Sequence, residues 1–155
     1  MPSDKTINTI LKYSVYIGLL LVLFVPMVVN QSMFFLYITG KAYAFRILVE
    51  VIFALWLVLA FRDRSYIPRR SWIFGAVSIF TLIILIADLS GVEPMRSIWS
   101  NYERMEGFIW IAHLFLYFIS AAGITGHGSV EERKKLWSIF AHVSLFASLI
   151  IGIHG

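Results

Sequence analysis

The chain has no cysteine and few charges: 14% of its 155 residues are Asp, Glu, Lys or Arg. Without cysteine there can be no disulfide, thiolate metal site, iron–sulfur cluster or cysteine nucleophile. The shortage of charge excludes most soluble designs, because a soluble domain carries about 25% charged and about 45–50% apolar residues. Here 59% are hydrophobic. Chemical motifs are also scarce. There is no glycine-rich phosphate loop, no Gly-x-Ser-x-Gly elbow and no paired-histidine zinc motif. His142 and His154 stand twelve apart without a carboxylate or third histidine at ligand spacing, so neither a metal nor another cofactor is expected.

What the chain does have is five long apolar runs, at 13–29, 42–61, 72–89, 108–123 and 136–153. Each approaches the ~20 residues with which an α-helix crosses ~30 Å of hydrocarbon. Such runs must be helical, because backbone groups in lipid have to satisfy one another. They lack the period-two alternation of a transmembrane barrel strand. The expected fold is therefore an all-α, polytopic transmembrane bundle in one domain. The first run is read as a retained helix rather than a cleaved signal, because Asn30-Gln31-Ser32-Met33 offers no small-x-small cleavage site. Pro26 near its end should kink or end it.

The net charge of +4 could point to nucleic acid, but the basic residues lie in short loops beside apolar runs, so membrane topology explains them better. Lys5 and Lys12, then Arg62, Arg64, Arg69 and Arg70, then Arg133, Lys134 and Lys135 fall on one side if all five runs cross. The positive-inside rule places that side, with the N-terminus, in the cytoplasm, and the segments 31–41 and 90–107 outside.

Polar residues intrude in three places. At the start of the second helix, Arg46 and Glu50 are four apart and share a face. A lone carboxylate at that depth would be costly, so the two are expected to pair. The pair could merely support packing. Alternatively, Lys41 and Arg46 form a cationic entrance for a phosphate group, with Glu50 holding Arg46. In the outer loop, Pro94 suits a first helical turn, and Met95, Ile98, Trp99, Tyr102 and Met105 then recur at helical spacing. A helix over 94–106, lying in the interface with Trp99 and Tyr102 at headgroup depth, is expected. It either caps the bundle or forms a polar lid carrying Asn101, Glu103, Arg104 and Glu106. Isolated polar residues come last. Asp88 should reach headgroups or a basic partner, and His113 should be a hydrogen-bonded packing residue.

The stretches Ile38-Thr39-Gly40-Lys41, Phe45-Arg46-Ile47-Leu48-Val49-Glu50 and Ile86-Ala87-Asp88-Leu89 precede a longer one, Ser97-Ile98-Trp99-Ser100-Asn101-Tyr102-Glu103-Arg104-Met105-Glu106-Gly107. Together they resemble the N-terminal part of bacterial O-antigen ligase and polymerase family membrane proteins. The closest likeness is to a subgroup with a W-S-N-x-E-R-M-E-G signature after the third helix. The resemblance implies an inner-membrane glycosyltransferase that moves glycan from an undecaprenyl-diphosphate carrier to an acceptor at the outer face. It also implies that the large periplasmic loop contributing to the active site lies further downstream. The chain is then expected to be the front part of a larger bundle, inactive alone, and no catalytic residue can be assigned. Lys41, Arg46 and Arg104 suit an anionic carrier as outward cationic groups. The alternative is a non-enzymatic membrane module: a transporter part, a flippase-like protein or a scaffold.

Overall fold

The computed structural model describes residues 4–28, 39–101 and 106–154, with the side chain of the last excepted. It is an all-α bundle. Helix α1 (Asp4–Leu21) tightens into a 3-10 turn (Val22–Met27). Then follow α2 (Thr39–Arg62), a 3-10 turn (Arg64–Tyr66), α3 (Trp72–Leu89), the short α4 (Pro94–Trp99), α5 (Phe108–Gly126) and α6 (Val130–His154). Five helical segments among the described residues are long and apolar enough to cross a membrane: Asp4–Met27, Thr39–Arg62, Trp72–Leu89, Phe108–Gly126 and Val130–Ile153. The protein is thus a multi-pass membrane protein.

Local chemistry sets the helix ends. Pro26 lies inside the 3-10 turn, where its missing N–H breaks the α-helical ladder. The Ser71 hydroxyl caps α3 by accepting from the Phe74 amide at 3.1 Å, and Ser129 does the same for the Glu132 amide in α6 at 3.2 Å. Gly128 turns the chain between α5 and α6 at φ 93°, a conformation that favours glycine.

Helix α2 is the centre of the bundle. Phe45, Val49, Ile52, Trp56 and Leu59 recur at three- and four-residue spacing and are all buried. They pack with Val15, Tyr16 and Leu19 of α1 and Ile124 of α5, among others. The α1–α2 approach is close: a β-carbon at Gly18 would lie 2.6 Å from Ile52 Cγ1. Helices α3 and α6 sit outermost and leave most of their apolar surface uncovered, including Ile79, Phe80, Leu145 and Leu149. In lipid that exposure carries no hydrophobic penalty.

One end of the bundle gathers the arginine-rich loops. Arg62 donates to Asp4 Oδ1 at 2.6 Å and to Asn8 Oδ1 at 2.9 Å, joining α2 to α1. The Lys12 ammonium pairs with Glu132 of α6, and the Tyr16 hydroxyl donates to the Leu136 carbonyl at 2.6 Å. The Tyr66 ring stacks on His127 at 3.9 Å, while its carbonyl accepts from Trp56 Nε1 at 3.2 Å. Burial pushes the Tyr66 phenol up from its ordinary value.

In the same turn, hydrogen bonds from the Ser65 hydroxyl and amide hold the Asp63 carboxyl below its ordinary value. A carboxyl depressed on folding stabilises the fold above its unfolded value, and this contribution fades as pH falls through the lower folded value. The gap between wild type and Asp63→Asn should therefore narrow in acid, below the usual carboxylate range. Unfolding midpoints measured against pH test this, and a gap that widens in acid contradicts it.

Candidate functional site

The opposite end carries α4 and the starts of α2 and α5. Here Phe45 of α2 meets Trp110 of α5, with ring centroids 4.6 Å apart. Val25, Phe45 and Val49 form a small core, with Trp110, Leu116 and Tyr117 packed against it. Lys41 is half-buried in the first turn of α2, and Arg46 is buried at 8% exposure. At helical rise, Arg46 lies about 10 Å along α2 from Thr39.

The expected Arg46–Glu50 pairing is not the contact that Glu50 makes among the described residues. The Glu50 carboxylate is 64% exposed and meets His113 Nε2 of α5 at 3.1 Å. The heptad-like stripe of α2 explains the difference, because it turns Arg46 toward the core while Glu50 sits at the edge facing α5. His113 is held in place by a second bond, from Nδ1 to the Ile109 carbonyl at 2.7 Å. A carbonyl only accepts, so Nδ1 carries a proton and Nε2 faces the carboxylate. The expectation that His113 is hydrogen-bonded holds, but its partner is an intramembrane acid that sequence spacing did not connect to it.

Helix α4 is shorter than the expected 94–106, ending at Trp99. Ser100 adopts φ 61° and ψ −161°, which cannot continue a right-handed helix, while its amide still donates to the Arg96 carbonyl at 2.7 Å. Asn101 and Glu106 are exposed on either side of the stretch 102–105. Glu103 and Arg104, with Tyr102 and Met105, lie outside the described residues.

The chain returns at Gly107 to the place it left. A β-carbon on Gly107 would fall 2.3 Å from the Ile98 carbonyl oxygen and 2.5 Å from that of Ser97. The Gly107 carbonyl then accepts from the Trp110 amide at 2.9 Å, starting α5. Gly107 is thus packed against the end of α4, and it bonds Trp110, whose ring meets Phe45. Of the seven predicted site residues, the structure places Lys41, Arg46, Asn101 and Glu106 at this end and diverts Glu50 to His113.

Asp88 is half-buried in the last turn of α3. His142 bonds within its own helix, from Nδ1 to the Ser138 carbonyl at 2.6 Å.

Fold and site together define a helical, multi-pass membrane protein in which Gly107 packs against the end of α4 at one end of the bundle. No protein-family model, curated protein or solved structure matches the chain.

Proposed function

We propose that the protein is the N-terminal helical portion of an O-antigen ligase-like glycosyltransferase and binds a polyprenyl-diphosphate-linked glycan at its α4 end. The observation that carries this reading is the position of Arg46. It is buried beside Phe45, whose ring contacts Trp110, and the Trp110 amide donates to the Gly107 carbonyl. That arrangement supports a cation near the membrane surface with apolar side chains beside it for an isoprenoid chain, and the polar residues Asn101 and Glu106 at the same end are suited to sugars. Lys41 adds a second cation, and Arg104 is proposed as a third. Diphosphate is a good leaving group, so positioning and charge stabilisation can supply much of the catalysis in the whole protein.

The test is binding of undecaprenyl diphosphate to the chain in nanodiscs, with undecaprenol as the phosphate-free control. A charge-assisted contact is worth about 1.5–3 kcal/mol, so Arg46→Ala and Lys41→Ala should each weaken diphosphate binding roughly 10- to 100-fold. Membrane abundance should stay near normal. Equal affinity for diphosphate and alcohol would remove the basis of the reading. The competing reading is a non-enzymatic membrane module, which the burial of Arg46 in the packed core favours. It predicts that Arg46→Ala depletes the protein from the membrane.

We further propose that the membrane is the bacterial inner membrane, with the arginine-rich end in the cytoplasm and the α4 end outside. The clustering of Arg62, Arg64, Arg69, Arg70, Arg133, Lys134 and Lys135 at one end supports this. The chain has no cysteine of its own, so single-cysteine variants have no background. An impermeant maleimide added to intact spheroplasts should label Asn101→Cys but not Ser129→Cys. The reverse pattern would invert the topology and strand the proposed site on the wrong face.

A further inference from the structure

Glu50 and His113 play no part in the proposed diphosphate site, and they join α2 to α5 within the apolar runs of both helices. They belong to different helices, His113 lies about one and a half turns below the start of α5, and they touch through single atoms 3.1 Å apart. The His113 ring is nearly enclosed, at 12% exposure, whereas the carboxylate opens onto the α2 surface formed by Tyr43, Ile47, Val51 and Val58.

We propose that Glu50 and His113 form an intramembrane proton-binding site, holding one shared proton between His113 Nε2 and the Glu50 carboxylate. Three protonation states are possible once the Ile109 carbonyl has fixed a proton on Nδ1. With no proton between the two groups, a nitrogen lone pair faces a carboxylate and the pair carries a net negative charge in an apolar layer. With two, both partners present hydrogens to each other and the net charge is positive. With one, the contact is a hydrogen bond and the pair is neutral, whichever atom the proton sits on. Only this last state leaves the pair itself without a net charge among lipid and apolar side chains.

Among the described residues, Lys41, Tyr43 and Arg46 are the other titratable groups in the first half of α2. On the packed elements, residues 17–28 carry no titratable group. Arg46 lies one turn outward on α2 and Tyr117 one turn deeper on α5, where its hydroxyl is committed to the Leu19 carbonyl at 3.0 Å. Asp88 on α3 and Glu93 and Arg96 on α4 belong to the α4 end. The exposed carboxylate edge makes the site reachable by a proton carrier or an apolar reagent from the α2 face, while His113 serves as the enclosed partner.

Two measurements on the full chain in bilayers at neutral pH test the proposal. The first is labelling with dicyclohexylcarbodiimide, an apolar reagent that requires a protonated carboxyl. The carboxyl proton passes to a carbodiimide nitrogen as the carboxylate oxygen bonds to the central carbon. The resulting O-acylisourea rearranges to an N-acylurea, adding one reagent molecule and releasing nothing. Peptide mass mapping should find the adduct on Glu50, and it should vanish in Glu50→Gln. The second is solid-state NMR of ¹⁵N-labelled histidine. The His113 Nε2 resonance should report a shared proton in the wild type and a plain acceptor in Glu50→Gln, with Nδ1 protonated in both. An unmodified Glu50 together with an unprotonated His113 Nε2 in the wild type would leave no proton between the two groups and would overturn the proposal. The labelling result stands even if the Gln variant does not fold.

Discussion

Gly123→Ala should destabilise the bundle by about 2–4 kcal/mol, the largest effect expected of any single methyl group added to this chain. Gly123 lies on α5 where it passes under the link between Trp56 and Tyr66. An added β-carbon would stand 2.2 Å from Trp56 Nε1, 2.5 Å from the Tyr66 carbonyl oxygen and 3.0 Å from Trp56 Cε2. The indole cannot retreat without breaking its 3.2 Å hydrogen bond to that carbonyl, and it is buried at 7% exposure. Helix α5 cannot retreat without opening the core around Ile124, which is fully buried. The cost is therefore overpacking plus a buried hydrogen bond left unmade. Unfolding in mixed micelles would measure it. A midpoint equal to that of the wild type would mean that α2 and α5 do not approach as closely as described.

Gly107→Ala should cost somewhat less, about 1–3 kcal/mol, but its effect should be confined to the α4 end. The atoms in the way are the main-chain oxygens of Ser97 and Ile98, which no side-chain rotation can remove. Gly107 must part from the end of α4, carrying α4 away from α5. Amide exchange should then rise in 94–101 and at Trp110, whose amide bonds the Gly107 carbonyl. Exchange in α1 and the second half of α2 should stay unchanged, because the contacts there are made at the other end. Uniform loosening, or none, would mean that Gly107 does not pack against the end of α4. If the proposed function is right, this variant should also weaken diphosphate binding without touching a cationic residue.

The two glycines differ in how visible they were beforehand. Gly107 ends a recognisable polar signature, so its importance could be suspected, though not its reason. Gly123 lies in an apolar run, where a glycine near a helix end draws no notice. Its role depends on Trp56 and Tyr66, which are far away in sequence.

The charged pairs follow the same pattern. Helical spacing placed Arg46 and Glu50 on a common face, and a pairing was expected from that alone. Spacing specifies direction about one axis and nothing about what stands opposite. His113, 63 residues away, occupies that place for Glu50. Lys12, which the sequence offers only as a terminal charge, finds Glu132 across 120 residues.

Helix α4 shows a different limit. The apolar spacing of Met95, Ile98 and Trp99 does belong to a helix, but periodicity carried the expectation past Ser100, where the backbone turns to positive φ. Asn101, which is exposed, consequently lies beyond the end of α4.

From its sequence alone, this protein was bound to be a set of membrane-crossing helices with its arginine-rich loops on one side. Crossing a bilayer depends on the length and greasiness of consecutive residues, and loop charge is counted locally, so both are written along the chain. Tertiary structure alone decided that Glu50 meets His113, that Lys12 meets Glu132, and that Gly107 and Gly123 are points of near contact. Each depends on which helices become neighbours and at what height, which is settled only when all of them pack together.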